Sequence, residues 1–68
     1  MDEETVNLEV RSFLKEFGVT SQRELETAIH DAVEADELDG DETLDVSATL
    51  SVPHLELVHR IEGDINLE

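Results

Sequence analysis

Between Glu3 and Phe17 the apolar side chains fall at Val6, Val10, Phe13, Leu14 and Phe17, the i, i+4, i+7, i+8, i+11 rhythm of one helical face. Gly18 follows at once, and glycine is the residue that most readily takes the left-handed position closing a helix. Acids at Asp2, Glu3 and Glu4 lie at the positive end of this helix dipole and Lys15 near its negative end, both in the favourable sense. A second start signal comes next, with Thr20 or Ser21 as N-cap and Ser21 to Glu24 in capping-box spacing. Leu25, Ala28, Ile29, Ala32 and Val33 then repeat the helical period, so a second helix is expected over about Ser21 to Ala35. A link this short makes the two helices neighbours, as an antiparallel hairpin or a crossed pair.

Asp36 to Glu42 reads as a polar loop in which Gly40 lets the chain reverse and Leu38 tucks back onto the helices. From Thr43 the period becomes two. Leu44, Val46, Ala48, Leu50 and Val52 alternate with Thr43, Asp45, Ser47, Thr49 and Ser51. Pro53-His54 marks a turn, because proline presets the turn dihedral and removes a ladder donor. Leu55, Leu57, His59, Ile61, Gly63, Ile65 and Leu67 then alternate with Glu56, Val58, Arg60, Glu62, Asp64 and Asn66. The expected fold is α+β, ααββ in order: a single small domain over residues 1–68 with two amphipathic helices packed on a β-hairpin. Its expected core is Val6, Val10, Phe13, Leu14, Phe17, Leu25, Ile29, Val33, Leu44, Val46, Leu50, Val52, Leu57, Ile61 and Ile65. The final Leu67-Glu68 has the look of a cloning remnant and carries no weight in the pattern.

One hairpin is a narrow sheet with two open edges, marginal alone in water and prone to pair with another strand. A homodimer that joins two hairpins into four strands removes both defects, so self-association is expected. Val58, apolar on the otherwise polar face of the second strand, hints at a further contact.

Composition narrows the classes of function. With 68 residues the chain is too short for two independent cores, and without cysteine it has no disulfide, thiolate zinc site or cysteine nucleophile. Apolar runs no longer than Phe13-Leu14 or Leu57-Val58 exclude a membrane span and a secretory segment, and the expected location is cytoplasmic. The chain carries 19 acids against 4 basic residues, a formal charge of −15. These acids are spread from Asp2 to Glu68 and decorate a foldable pattern, unlike a disordered acidic tail. Dispersed carboxylates with almost no lysine suit a salt-rich cytoplasm, where the Debye length shrinks to ~3 Å at molar salt and surface acids hold water and solvent cations non-specifically.

The stretches Val10-Arg11-Ser12-Phe13-Leu14-Lys15, Gly18-Val19-Thr20-Ser21-Gln22-Arg23-Glu24-Leu25-Glu26, Gly40-x-Glu42-Thr43-Leu44 and Glu62-Gly63-x-Ile65 carry a likeness. With them the chain resembles a family of short, uncharacterised bacterial proteins, mainly proteobacterial, known as a domain of unknown function. The resemblance covers nearly the whole chain, and the Gly-Val-Thr-Ser-Gln-Arg-Glu run at Gly18 to Glu24 is its most specific part. It implies no activity, substrate or cofactor. The chain is far more acidic than the family, which again fits a salt-loving host.

The basic residues are the first candidates for a site. In a winged helix-turn-helix reading, Gln22 and Arg23 open the second helix, Arg11 and Lys15 stand one turn apart on the first, and Arg60 sits on the wing. Four cations are too few for phosphate neutralisation by a chain this acidic, so nucleic acid is disfavoured as a partner. Arg11, Lys15, Gln22, Arg23, Val58 and Arg60 remain as possible interaction residues, and ion pairs with neighbouring acids are the simpler expectation for the cations. The acidic loop does not fit an EF-hand: with Gly40 at the sixth position, Ala35 falls first and Val46 twelfth, where acids are required. His30, His54 and His59 share no ligand spacing, and His59, on the apolar strand face, reads as a half-buried residue bonded to backbone. No serine or threonine stands at a telling interval from a histidine and an acid, and no glycine-rich phosphate loop is present. The expectation is a non-enzymatic, cofactor-free, homodimeric interaction or structural module from a halophile. The alternative is a regulatory protein binding DNA through its residual basic patch, or a basic protein through its acids.

Overall fold

Asp2 starts the first element: its carboxylate accepts from the backbone N–H groups of Glu4 at 2.9 Å and Thr5 at 3.1 Å, satisfying two donors that a helix start leaves free. From there a computed structural model, which describes all 68 residues, carries one α-helix, α1, over Glu3–Glu34. A strand β1 (Thr43–Val52), a short 3-10 turn (Pro53–Leu55) and a strand β2 (Leu57–Asn66) follow. The chain divides into two compact units, Met1–Glu37 and Leu38–Glu68.

The expected pair of helices is a single helix of 32 residues, which corrects ααββ to αββ. Gly18 does not take the left-handed conformation; among the glycines only Gly40 has positive φ. Thr20 does not cap either. Its hydroxyl donates back to the Glu16 carbonyl at 2.8 Å, the i−4 bond of a threonine inside a helix. Gln22 and Glu26, one turn apart, bond at 2.8 Å along the same helix. Continuity has a simple physical reason. Glycine in a helix interior costs ~1 kcal/mol relative to alanine, whereas stopping and restarting frees four carbonyls and four N–H groups and needs a second nucleus.

The helix stops at Asp36 instead. Asp36 has φ 60, its N–H donates to the Val33 carbonyl at 3.1 Å, and the Glu37 N–H donates to the Ala32 carbonyl at 2.9 Å. This is the Schellman arrangement with aspartate in place of glycine, a residue whose short polar side chain tolerates the left-handed region.

In the second unit the register is antiparallel, with Leu44 opposite Ile65, Val46 opposite Gly63, Ala48 opposite Ile61, Leu50 opposite His59 and Val52 opposite Leu57. All ten residues belong to the apolar alternation read from the sequence, so both strands show their apolar side chains on one face. The connection is longer than a Pro53-His54 turn. It runs through Glu56, whose backbone is left-handed at φ 50 and whose N–H donates to the Pro53 carbonyl at 3.1 Å. At the open end, the Leu67 N–H donates to the Glu42 carbonyl at 3.0 Å and Thr43 Oγ1 to Asn66 Oδ1 at 2.9 Å.

No side chain in the chain is buried, and this overturns the expected core. Leu25, Ile29, Val33, Leu44, Val46, Leu50, Val52 and Ile65 are half-buried, while Val6, Val10, Phe13, Leu14, Phe17, Leu57 and Ile61 are exposed.

Gly18 gives the sharpest test of the single helix. A Cβ added there meets nothing within 4 Å, so Gly18→Ala is expected to raise helix stability by ~0.5–1 kcal/mol, read as a higher melting temperature by circular dichroism. A drop in melting temperature would mean that Gly18 closes a first helix in the left-handed conformation.

Candidate functional site

At ~100° per residue, Val6, Val10, Phe13, Leu14 and Phe17 form one stripe down the first half of α1. Their exposure runs from 42% at Val6 to 58% at Phe13, so both phenyl rings of the chain stand about half in water. The stripe continues in phase through Ser21 to Leu25, Ala28, Ile29 and Ala32 at successive steps of about one turn. Five large apolar side chains aligned on one exposed face form the most extended feature of this kind in the first unit, and such patches mark association surfaces.

The charges around the stripe are mixed: Glu3 falls within it, and Glu4 falls between Arg11 and Lys15 on the side facing away from it. Glu9 and Glu16, seven residues apart, stand along one border, while Asp2 precedes the helix as its N-cap. Arg11, Gln22 and Lys15 lie towards the face opposite the stripe, and Arg23 lies apart from them. The expected pairing of Arg11, Lys15 and Arg23 with nearby acids does not occur, because the one ion pair in the chain is Arg60 with Glu62. The helix pair needed by the winged-helix comparison is also missing, since Gln22 and Arg23 lie mid-helix and not at a helix start.

On the hairpin, Arg60 donates from Nε and Nη2 to Glu62 Oε1 at 3.2 Å, with both side chains more than half exposed, and such a pair contributes ~0–1 kcal/mol. Arg60 and Glu62 share the polar face with Ser47, Asp45 and Asp64, around a shallow open hollow. Asp45 sits directly across from Asp64, a like-charge pairing that opposes the ladder in dilute buffer. Val58 is 71% exposed on this polar face, opposite Ser51. His59 lies on the apolar face opposite Leu50 but is exposed and its side chain makes no hydrogen bond, against the half-buried, backbone-bonded state expected.

The loop ahead of β1, within the second unit, holds a feature that spacing rules miss. The Glu42 carboxylate accepts from the Asp39 N–H at 2.8 Å through Oε2 and from the Gly40 N–H at 2.9 Å through Oε1. These donors favour the charged form and hold Glu42 below the usual carboxylate range. Gly40, at φ 103, supplies the backbone that brings both N–H groups to one side chain. Carboxylate oxygens of Asp39, Asp41 and Glu42 come within 4.8 Å of one another, an oxygen-rich corner suited to hard cations. Both oxygens of Glu42 are already engaged in holding the turn, so its first role is structural. A glutamate two residues beyond a glycine in a reversing loop was the available signal.

A family model, "Family of unknown function (DUF6494)", matches residues 1–68. No curated protein matches the chain, and no solved structure does. No helix is long and apolar enough to cross a membrane.

The clamp makes the loop acid-sensitive. Its contribution is present above the ordinary glutamate pKa and is lost as pH falls through the lowered value of Glu42. In an NMR titration the Gly40 and Asp39 amide signals are expected to move at a pH below the ordinary glutamate pKa, and Glu42→Gln is expected to remove that step. Titration of Glu42 at or above the ordinary glutamate pKa would contradict the clamp.

Proposed function

We propose that this chain, which belongs to the family of unknown function DUF6494 over its whole length, is a homodimeric interaction module working in a cytoplasm of high ionic strength, without catalysis of its own. The observation that carries the reading is the exposed stripe Val6, Val10, Phe13, Leu14 and Phe17 in a chain with no buried side chain. Full burial of side chains of this kind gains ~1.5–3 kcal/mol each, far more than any surface ion pair here contributes. A 68-residue chain without a buried core is short of stability by itself, and association is the common remedy for chains this small.

Charge sets the conditions. Two copies bring together twice −15, and at low ionic strength that repulsion opposes the apolar gain. Salt screens the dispersed carboxylates while strengthening apolar burial, so both effects push towards association as salt rises. The acid on both units then belongs to the solvent-facing surface, and the single helix stripe belongs to the contact.

Sedimentation equilibrium in dilute buffer and in molar potassium chloride tests the reading. The expected result is a mass moving from monomer towards dimer as salt rises. A monomer under both conditions at high protein concentration would overturn it.

A further inference from the structure

Asp39-Gly40 is the one place in the chain where an aspartate is followed by glycine. We infer that it is a site of isoaspartate formation, which the Glu42 carboxylate holds closed through its bonds to the N–H groups of both residues. All three residues lie in the loop ahead of β1, so the site does not depend on self-association. Isomerisation begins when the Gly40 nitrogen attacks Cγ of Asp39. A C–N bond forms and one carboxyl oxygen leaves as water, its hydrogens coming from the protonated carboxyl and from the Gly40 N–H. Water then reopens the five-membered succinimide. Cleavage at Cγ restores aspartate, whereas cleavage at the backbone carbonyl leaves the chain running through Cγ as isoaspartate. One water departs and one returns, with no oxidation.

The loop meets the chemical requirements and also blocks the first step. Asp39 is exposed to water, and glycine puts no Cβ in the way of the attacking nitrogen; the other aspartates all precede a residue with a side chain. Yet the Gly40 N–H donates to Glu42 Oε1 at 2.9 Å and the Asp39 N–H to Oε2 at 2.8 Å. An anion held against an N–H favours keeping its proton, and attack needs the nitrogen to leave that bond and turn onto the Asp39 side chain. Glu42 is a poor base for the proton, since the same two donors keep its carboxylate charged. Isoaspartate adds one backbone carbon between the two N–H groups, so a single carboxylate no longer spans both. The change reaches the hairpin, because the Glu42 carbonyl accepts from the Leu67 N–H at its open end.

Ageing the full chain for weeks in neutral buffer tests the site, with the wild-type chain unfolded in guanidinium chloride as the unclamped reference. Isoaspartate leaves the mass unchanged, so it is read as loss of endoproteinase Asp-N cleavage before residue 39, with cleavage at the other aspartates as the internal standard. Folded wild type is expected to isomerise more slowly than the unfolded reference, and Glu42→Gln roughly fivefold faster than folded wild type, the worth of one hydrogen bond. Equal rates in the variant and the wild type, or a slower variant, would overturn the role of Glu42. Modification spread over the other aspartates would overturn the site. Hydrogen exchange gives a second reading that does not rely on the variant's folding, since it too begins with loss of the N–H proton. The Gly40 amide of folded wild type is expected to exchange more slowly than in guanidinium chloride, and exchange at the unfolded rate would overturn the clamp's protection.

Discussion

Apolar surface must leave water somewhere for a short, strongly acidic chain to hold a fold, and in this chain the helix carries more of it than its own unit covers. The 32 residues of α1 keep Val6, Val10, Phe13, Leu14 and Phe17 on one line, and none of them is buried. An isolated helix gains little from backbone hydrogen bonds alone, because those bonds replace equally good ones to water; it becomes stable when its apolar face is packed. The other features of the first unit serve that line. Asp2 starts the helix, Asp36 ends it, and continuity through Gly18 keeps the stripe in phase.

The hairpin meets the same demand differently. Its alternation gathers Leu44, Val46, Ala48, Leu50 and Val52 with Leu57, Ile61 and Ile65 on one side, so apolar groups help one another even where they are only half withdrawn from water. The polar side collects the electrostatic cost in Asp45 opposite Asp64, with one compensating pair at Arg60 and Glu62. Ahead of β1, within the second unit, Glu42 ties down the loop through two backbone donors and its own carbonyl accepts from Leu67. The loop is thus fixed by a charged acceptor and not by burial.

Much of this was legible in the sequence, for reasons that particular residues make plain. Period-two alternation gave the strands and their register, because a one-residue slip would have turned every apolar side chain to the wrong face. The helical period gave the stripe but not its continuity. Gly18, Thr20 and Ser21 each carry a boundary preference worth about 1 kcal/mol, and together they imitate a stop and a start. The contrary signal was present: Phe17, Ser21 and Leu25 stay one turn apart, so the phase runs unbroken through the supposed turn. The core was misjudged for a related reason, since periodicity says which side chains share a face and not what covers it. The Glu42 clamp was hidden because it depends on the backbone angle of Gly40, and the absence of partners for Arg11 and Lys15 depends on side-chain placement along a helix longer than expected.

The central proposal is that the helix stripe is covered by self-association. Hydrogen exchange of the α1 amides between Val6 and Phe17, followed over a hundredfold range of protein concentration in molar potassium chloride, addresses it most directly. Protection is expected to rise with concentration at these amides and to stay constant at the Thr43 to Val52 ladder. Strong protection of the same helical amides that does not change on dilution would contradict the account.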